Sequence, residues 1–259
     1  MATTDHTSGY LPTMAQTSKL PAILQWTPIG RFIVFVLSAA SIWCLLAEFY
    51  HLCSMRQFTF FALIPATIVL ILMAILDRVA GDGRMWRAVV IGSIGGFLAA
   101  CAYDTFRIPF VVAAVDHIGP DWLRLPLFKV FPRFGAMILN QPFDNNTTDT
   151  QFPLLTHVIG WIYHFSNGMT FGVMLLAIVG TVGKRVMLAA IGLAVGLELA
   201  MLFTPYTGYF GIGLTTKFVV ATLVAHLIFG IALGAYLKSR AAFVNGYPLG
   251  VSGSAAALG

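Results

Sequence analysis

The sequence predicts an all-α integral membrane helix bundle with about six transmembrane helices. Three observations carry this expectation. Of the 259 residues, 58% are hydrophobic and only 10% charged, against about 25% charged residues in a soluble domain. Mean hydropathy is +0.85. Apolar runs of roughly 20 residues, long enough to cross a bilayer, recur along the chain. They are too uniformly apolar for barrel strands, which alternate.

The first apolar run extends from about Phe32 to His51 and the second from about Phe58 to Leu76. The third starts near Ala88 and either stops at Tyr103 or continues through Asp104–Arg107 to Val115, with Pro109 as a kink. The fourth covers Leu154–Gly180, the fifth Val186–Phe203 and the sixth Thr215–Leu237. Residues 1–30 then form a polar tail without the pattern of a cleavable signal, residues 31–241 one transmembrane domain and residues 242–259 a C-terminal tail. The run Gly250–Gly259 is small and uncharged, the composition of a disordered end.

Charge sets orientation. Lys19 and Arg31 precede the first span, and Arg78, Arg84 and Arg87 lie between the second and third. Lys184 and Arg185 lie between the fourth and fifth, and Lys238 and Arg240 follow the sixth; the opposite short loops hold only Arg56 and Lys217. The positive-inside rule therefore places both termini in the cytoplasm, in a plasma (inner) membrane, with residues 105–153 outside. The same rule accounts for the net charge of +5 and the pI near 9.3 without a nucleic-acid partner. Trp122 to Phe134 interleaves aromatic, aliphatic and basic residues, which suits a segment lying in the interface. Pro120, Pro126 and Pro132 forbid one long helix there. Lys217 is expected to reach the outer headgroups.

Four Gly-x-x-x-Gly pairs, Gly92/Gly96, Gly168/Gly172, Gly192/Gly196 and Gly230/Gly234, give flat strips on which helix backbones can approach closely. The same strips offer a homo-oligomer or a membrane-complex partner a surface. Twice a glycine-spaced helix precedes one carrying His-x-x-x-Gly-x-x-x-Gly, starting at His164 and at His226. This suggests one helical hairpin used twice, with Gly92 matching Gly192 and Gly168 matching Gly230.

Ionisable residues inside a bilayer are costly and point to function. Glu48, Asp104 and Glu198 are the candidate catalytic carboxylates. His51, His157, His164 and His226 are the candidate metal ligands. Glu48 and His51 stand at i and i+3, a spacing that bundle-type di-metal proteins use, though its second copy is absent. Together these residues offer nitrogen and carboxylate ligands for iron, copper or zinc, and facing histidines could hold haem. Asp104 and Arg107, also at i and i+3, read as a local ion pair. Cys44, Cys53 and Cys101 form no ligand spacing. No Walker sequence, Gly-x-Ser-x-Gly or His-Glu-x-x-His motif occurs.

Three functional classes fit. The first is a metal- or haem-dependent membrane enzyme or oxidoreductase acting on an apolar substrate. The second is a proton- or cation-coupled transporter or channel, and the third a non-catalytic membrane subunit. The topology is testable directly: a reporter fused after Lys238 should read as cytoplasmic and a tag inserted at Asn145–Thr148 should be labelled from outside. The opposite labelling pattern would invert the orientation.

Overall fold

The computed structural model describes residues 20–246 and is all-helical over them. The remainder of the expected N-terminal tail, with Lys19, and the run Gly250–Gly259 lie outside the described residues. Helix α1 (Pro28–Phe49) starts where the sequence supplies a start signal, with Pro28 at its first position and the Thr27 hydroxyl accepting from the Gly30 N–H. A Ser54–Gln57 capping box opens α2 (Met55–Phe58), which a π turn at Thr59–Leu63 joins to α3 (Ile64–Ala80). Helix α4 (Arg84–Val115) runs unbroken through Asp104, Arg107 and Pro109, the longer of the two expected courses. At 1.5 Å per residue its 32 residues span about 48 Å, more than the ~30 Å hydrocarbon core.

Helices α5 (Val130–Leu139), α6 (Leu154–Val179), α7 (Val186–Leu202), α8 (Tyr206–Tyr209), α9 (Thr216–Ser239) and α10 (Ala241–Asn245) follow. Five helices are long and apolar enough to cross a membrane; the stretch Met55–Ala80 counts as one of them. The fifth expected span is α7, whose 17 residues reach only about 26 Å. The interface segment differs from expectation. Trp122 is exposed, but α5 is tucked inside the bundle, with Val130, Phe131, Phe134 and Met137 all buried. Gly135 and Gly160 let it lie flush on α6, so burial wins over a surface position.

One end of the bundle collects Arg31, Arg78, Arg84, Arg87, Lys184, Arg185, Lys238 and Arg240. It is tied together by Trp26 Nε1 donating to the Gly180 carbonyl (2.7 Å) and by Asn245 exchanging two 2.9 Å hydrogen bonds with the Val182 backbone. The loop end is tied by Arg133, fully buried, which donates to the carbonyls of Lys129 and Thr147 (2.7 Å each). Lys217 ion-pairs there with Asp121 at 2.9 Å instead of standing free, and this bond holds the Asp121 carboxyl below its usual range.

Helices α4 and α6 meet backbone to backbone. A Cβ on Gly96 would collide with the Gly168 carbonyl, and one on Gly172 with the Gly92 carbonyl. In the second hairpin Gly230 and Gly234 also approach α7, but against Met187, Ala190 and Ile191. Gly192 and Gly196 have nothing within 4 Å of an added Cβ and face outward. The expected match of Gly92 with Gly192 is therefore not the register the helices use. Alanine is small enough at the α7 contact, where Ala190 and Ala194 are buried. The contrast gives a measurement. Gly96→Ala should lower thermal stability in detergent, by about 1–3 kcal/mol or more because backbone must move. Gly196→Ala should leave stability unchanged, or raise it by up to ~1 kcal/mol through helix propensity.

Candidate functional site

Helices α4, α6, α7 and α9 enclose a cavity of about 130 Å³, roofed by α5 and by Tyr206 of α8. Each helix turns one face to it. From α6 come His164, Asn167, Gly168 and Phe171, spaced i, i+3, i+4 and i+7; from α4 come Ala100, Tyr103 and Arg107. Helix α7 supplies Glu198 and Met201, and α9 supplies His226 and Phe229.

Two histidine–carboxylate contacts organise the polar groups. His164 Nε2 donates to Asp104 Oδ2 at 2.7 Å, and the other oxygen of Asp104 takes Arg107 Nη1 at 3.1 Å. The expected Asp104–Arg107 pair is thus present and has acquired a histidine. His226 Nδ1 donates to the Thr222 carbonyl at 2.9 Å, with Glu198 Oε2 3.4 Å from the same nitrogen. The Tyr103 ring lies between the imidazoles, 6.0 Å from His164 and 4.9 Å from His226, centroid to centroid.

Arg107 is 4% exposed. Its guanidinium stands 4.7–5.2 Å from the ring centroids of Tyr103, Phe128 and Phe131 and donates to the Leu127 carbonyl through Nη2. Helix α5 brings Phe131 here because Gly135 and Gly160 let it lie flush on α6: a Cβ on either would strike the other helix's carbonyls. Phe131 then stacks 4.2 Å from His164. Two polar atoms at the cavity have no hydrogen-bond partner among the described residues although they are buried, the Arg107 Nε donor and the Asn167 Oδ1 acceptor.

Of the sequence-derived site residues, His164, Glu198 and His226 line one cavity, and Asp104 joins them behind His164. The other three lie elsewhere. Helix α1 ends at Phe49 and the chain turns through a left-handed conformation at His51 (φ 54°), so His51 leaves the helix face it was to share with Glu48 and is exposed. Glu48 accepts from Tyr209 OH at 2.8 Å and from the Met55 N–H, and lines a separate cleft of about 630 Å³ with Ser54, Asn140 and Asp144. His157 contacts the Asp149 carbonyl at 3.0 Å and packs on Phe152, pinning the loop end.

Among the described residues no three His, Cys, Asp or Glu side chains are placed to hold one metal ion. The carboxylates are spent on the imidazoles instead, and a cavity of about 130 Å³ is too small for a haem. Sequence reading missed Tyr103, Asn167, Phe131 and Tyr206 as cavity residues. Asn167, a polar residue three positions after His164 within an apolar helix, carried a usable signal. The buried charges make a prediction. Asp104→Asn should cost about 3–5 kcal/mol by leaving Arg107 unpaired, and Asp104→Leu/Arg107→Met together should recover much of it. Equilibrium unfolding in detergent measures both; equal losses in the single and double variants would contradict the coupling.

No family model, curated protein or solved structure matches this chain.

Proposed function

We propose that this multi-pass membrane protein is an enzyme that performs acid–base chemistry on the polar end of an apolar molecule held in the α4–α6–α7–α9 cavity. One observation carries the reading: two carboxylate-contacted histidines line one small cavity together with Arg107 and Asn167. A hydrogen-bond acceptor on one ring nitrogen orients an imidazole and fixes which nitrogen is left for chemistry. His164 uses Nε2 for its carboxylate, which leaves Nδ1; His226 uses Nδ1, which leaves Nε2. One free nitrogen can take a proton from the substrate while the other returns one, as an isomerisation requires.

The arrangement suits this division, because two carboxylates and one guanidinium surround the two imidazoles. One histidine then acts as acid and the other as base. Arg107 and Asn167 would bind the substrate's polar end, and Phe171, Met201 and Phe229 its apolar part. Transport is less well supported, because Leu175, Leu176, Leu233 and Leu237 are buried in the core on the way to the basic end.

Mass spectrometry of molecules retained by detergent-purified protein should find an apolar compound with a hydrogen-bonding end. Asn167→Leu should retain at least tenfold less of it. Returned to emptied protein in heavy water, the compound should take up deuterium, and His226→Gln should slow that uptake by about 10²–10⁴-fold. Retention without any exchange would reduce the site to binding alone, and no retained compound would remove the reading.

A further inference from the structure

We propose that a second cleft, at the basic end of the bundle, binds a phosphate group of the kind carried by an anionic lipid headgroup. The cleft, of about 310 Å³, lies between the first turns of α1 and α4 and the turn after α6, and is lined by Trp26, Pro28, Arg31, Arg84, Gly180 and Thr181. It is on the opposite end of the molecule from the loops that roof the histidine cavity, and the inference does not rest on the function proposed for that cavity.

Four features point to an anion. Neither Arg31 nor Arg84 has a carboxylate partner among the described residues. The nearby acids each turn one oxygen to the backbone at the start of α4 rather than to an arginine side chain: Asp82 Oδ1 accepts from the Arg84 N–H at 3.0 Å, and Asp77 Oδ2 from the Trp86 N–H at 3.1 Å, while Asp77 Oδ1 is buried without a partner. The Arg31 guanidinium is held in place rather than loose, because it lies flush on Gly180, whose φ of +71° and lack of a Cβ leave room for it. Trp26 fixes that turn by its bond to the Gly180 carbonyl. The first turns of two long helices, α1 and α4, add their positive dipole ends.

The surroundings favour a lipid as the source. On α1, Ile29 and Phe32, neighbours in sequence of the cleft residues Pro28 and Arg31, are exposed at 57% and 66%, an apolar surface for an acyl chain on the same helix. Basic pockets between transmembrane helices hold phosphate headgroups in this way. Two guanidiniums set across a cleft can each offer paired N–H donors to phosphate oxygens.

The test uses the full chain in nanodiscs of phosphatidylcholine alone or with phosphatidylglycerol. The wild type should gain thermal stability from phosphatidylglycerol and keep one anionic phospholipid per chain in native mass spectra. Arg31→Gln/Arg84→Gln should lower that retention at least tenfold. Lys184→Gln/Arg185→Gln, which removes the same charge from the same end, should not. Stabilisation by inorganic phosphate in phosphatidylcholine nanodiscs, with no lipid retained, would keep the phosphate site and assign it to a soluble ligand. If the arginine variant does not fold, Thr181→Glu puts a carboxylate on the exposed rim and should displace the lipid alone. Equal losses in the arginine and control variants, or no response to either anion, would overturn the proposal.

Discussion

A guanidinium buried inside an apolar bundle constrains everything around it. Arg107 cannot shed its charge, and an uncompensated ion in a low-dielectric interior is strongly destabilising. The fold answers on every side. Asp104 supplies the countercharge one helical turn away, the Leu127 carbonyl takes a second donor, and Tyr103, Phe128 and Phe131 present ring faces. Two of those rings and that carbonyl come from the loop after α4. The loop therefore has to fold inward, which explains why α5 is buried despite a sequence that also suits a membrane surface. Arg133 then anchors the returning chain to the carbonyls of Lys129 and Thr147.

The second constraint is how closely the helices approach. Gly96 meets Gly168, and from that contact Asp104 lies eight residues up α4 while His164 lies four residues up the antiparallel α6. At 1.5 Å per residue these are heights of about 12 and 6 Å, which would leave the pair out of reach. Side chains tilt toward the N-terminus of their own helix, so on antiparallel helices aspartate leans down and histidine leans up. The 2.7 Å contact follows. The second hairpin has almost the same arithmetic: Glu198 is seven residues beyond Ile191, and His226 four before Gly230. The two hairpins thus share a close approach and an acid–histidine contact, without the glycine register that their sequences suggested.

This explains what could and could not be read from the chain. Helix positions and type were legible, because twenty-residue apolar runs with few breaks admit little else. The i, i+3 ion pair of Asp104 and Arg107 was legible for the same local reason. What failed depended on neighbours. Spacing placed His51 on the face of Glu48, but α1 ends between them at Phe49. The spacing of Gly192 and Gly196 marked a strip that no described helix covers, while the α7 interface runs through Ala190 and Ala194, which spacing alone does not single out. Lying in apolar runs grouped Glu48 and His157 with the cavity histidines, whereas their bearing around the helix axes, set by packing, sends them elsewhere.

The histidine cavity differs from a merely well-packed polar core in what it leaves unsatisfied. Interhelical glue needs each polar group to find a partner on the facing helix, as Tyr163 does with the Ser41 carbonyl at 2.7 Å and Ser41 with Thr170 at 2.9 Å. Around the cavity, by contrast, an arginine donor and an asparagine acceptor stay open, one nitrogen of each imidazole is free of the acids, and the fixed charges sum to one negative. A proton brought in on one imidazole removes that imbalance, and a small hydrogen-bonding group removes the two vacancies. On the proposed function both arrive from outside the fold, and positioning polar groups for them is what would separate a site from a structural contact.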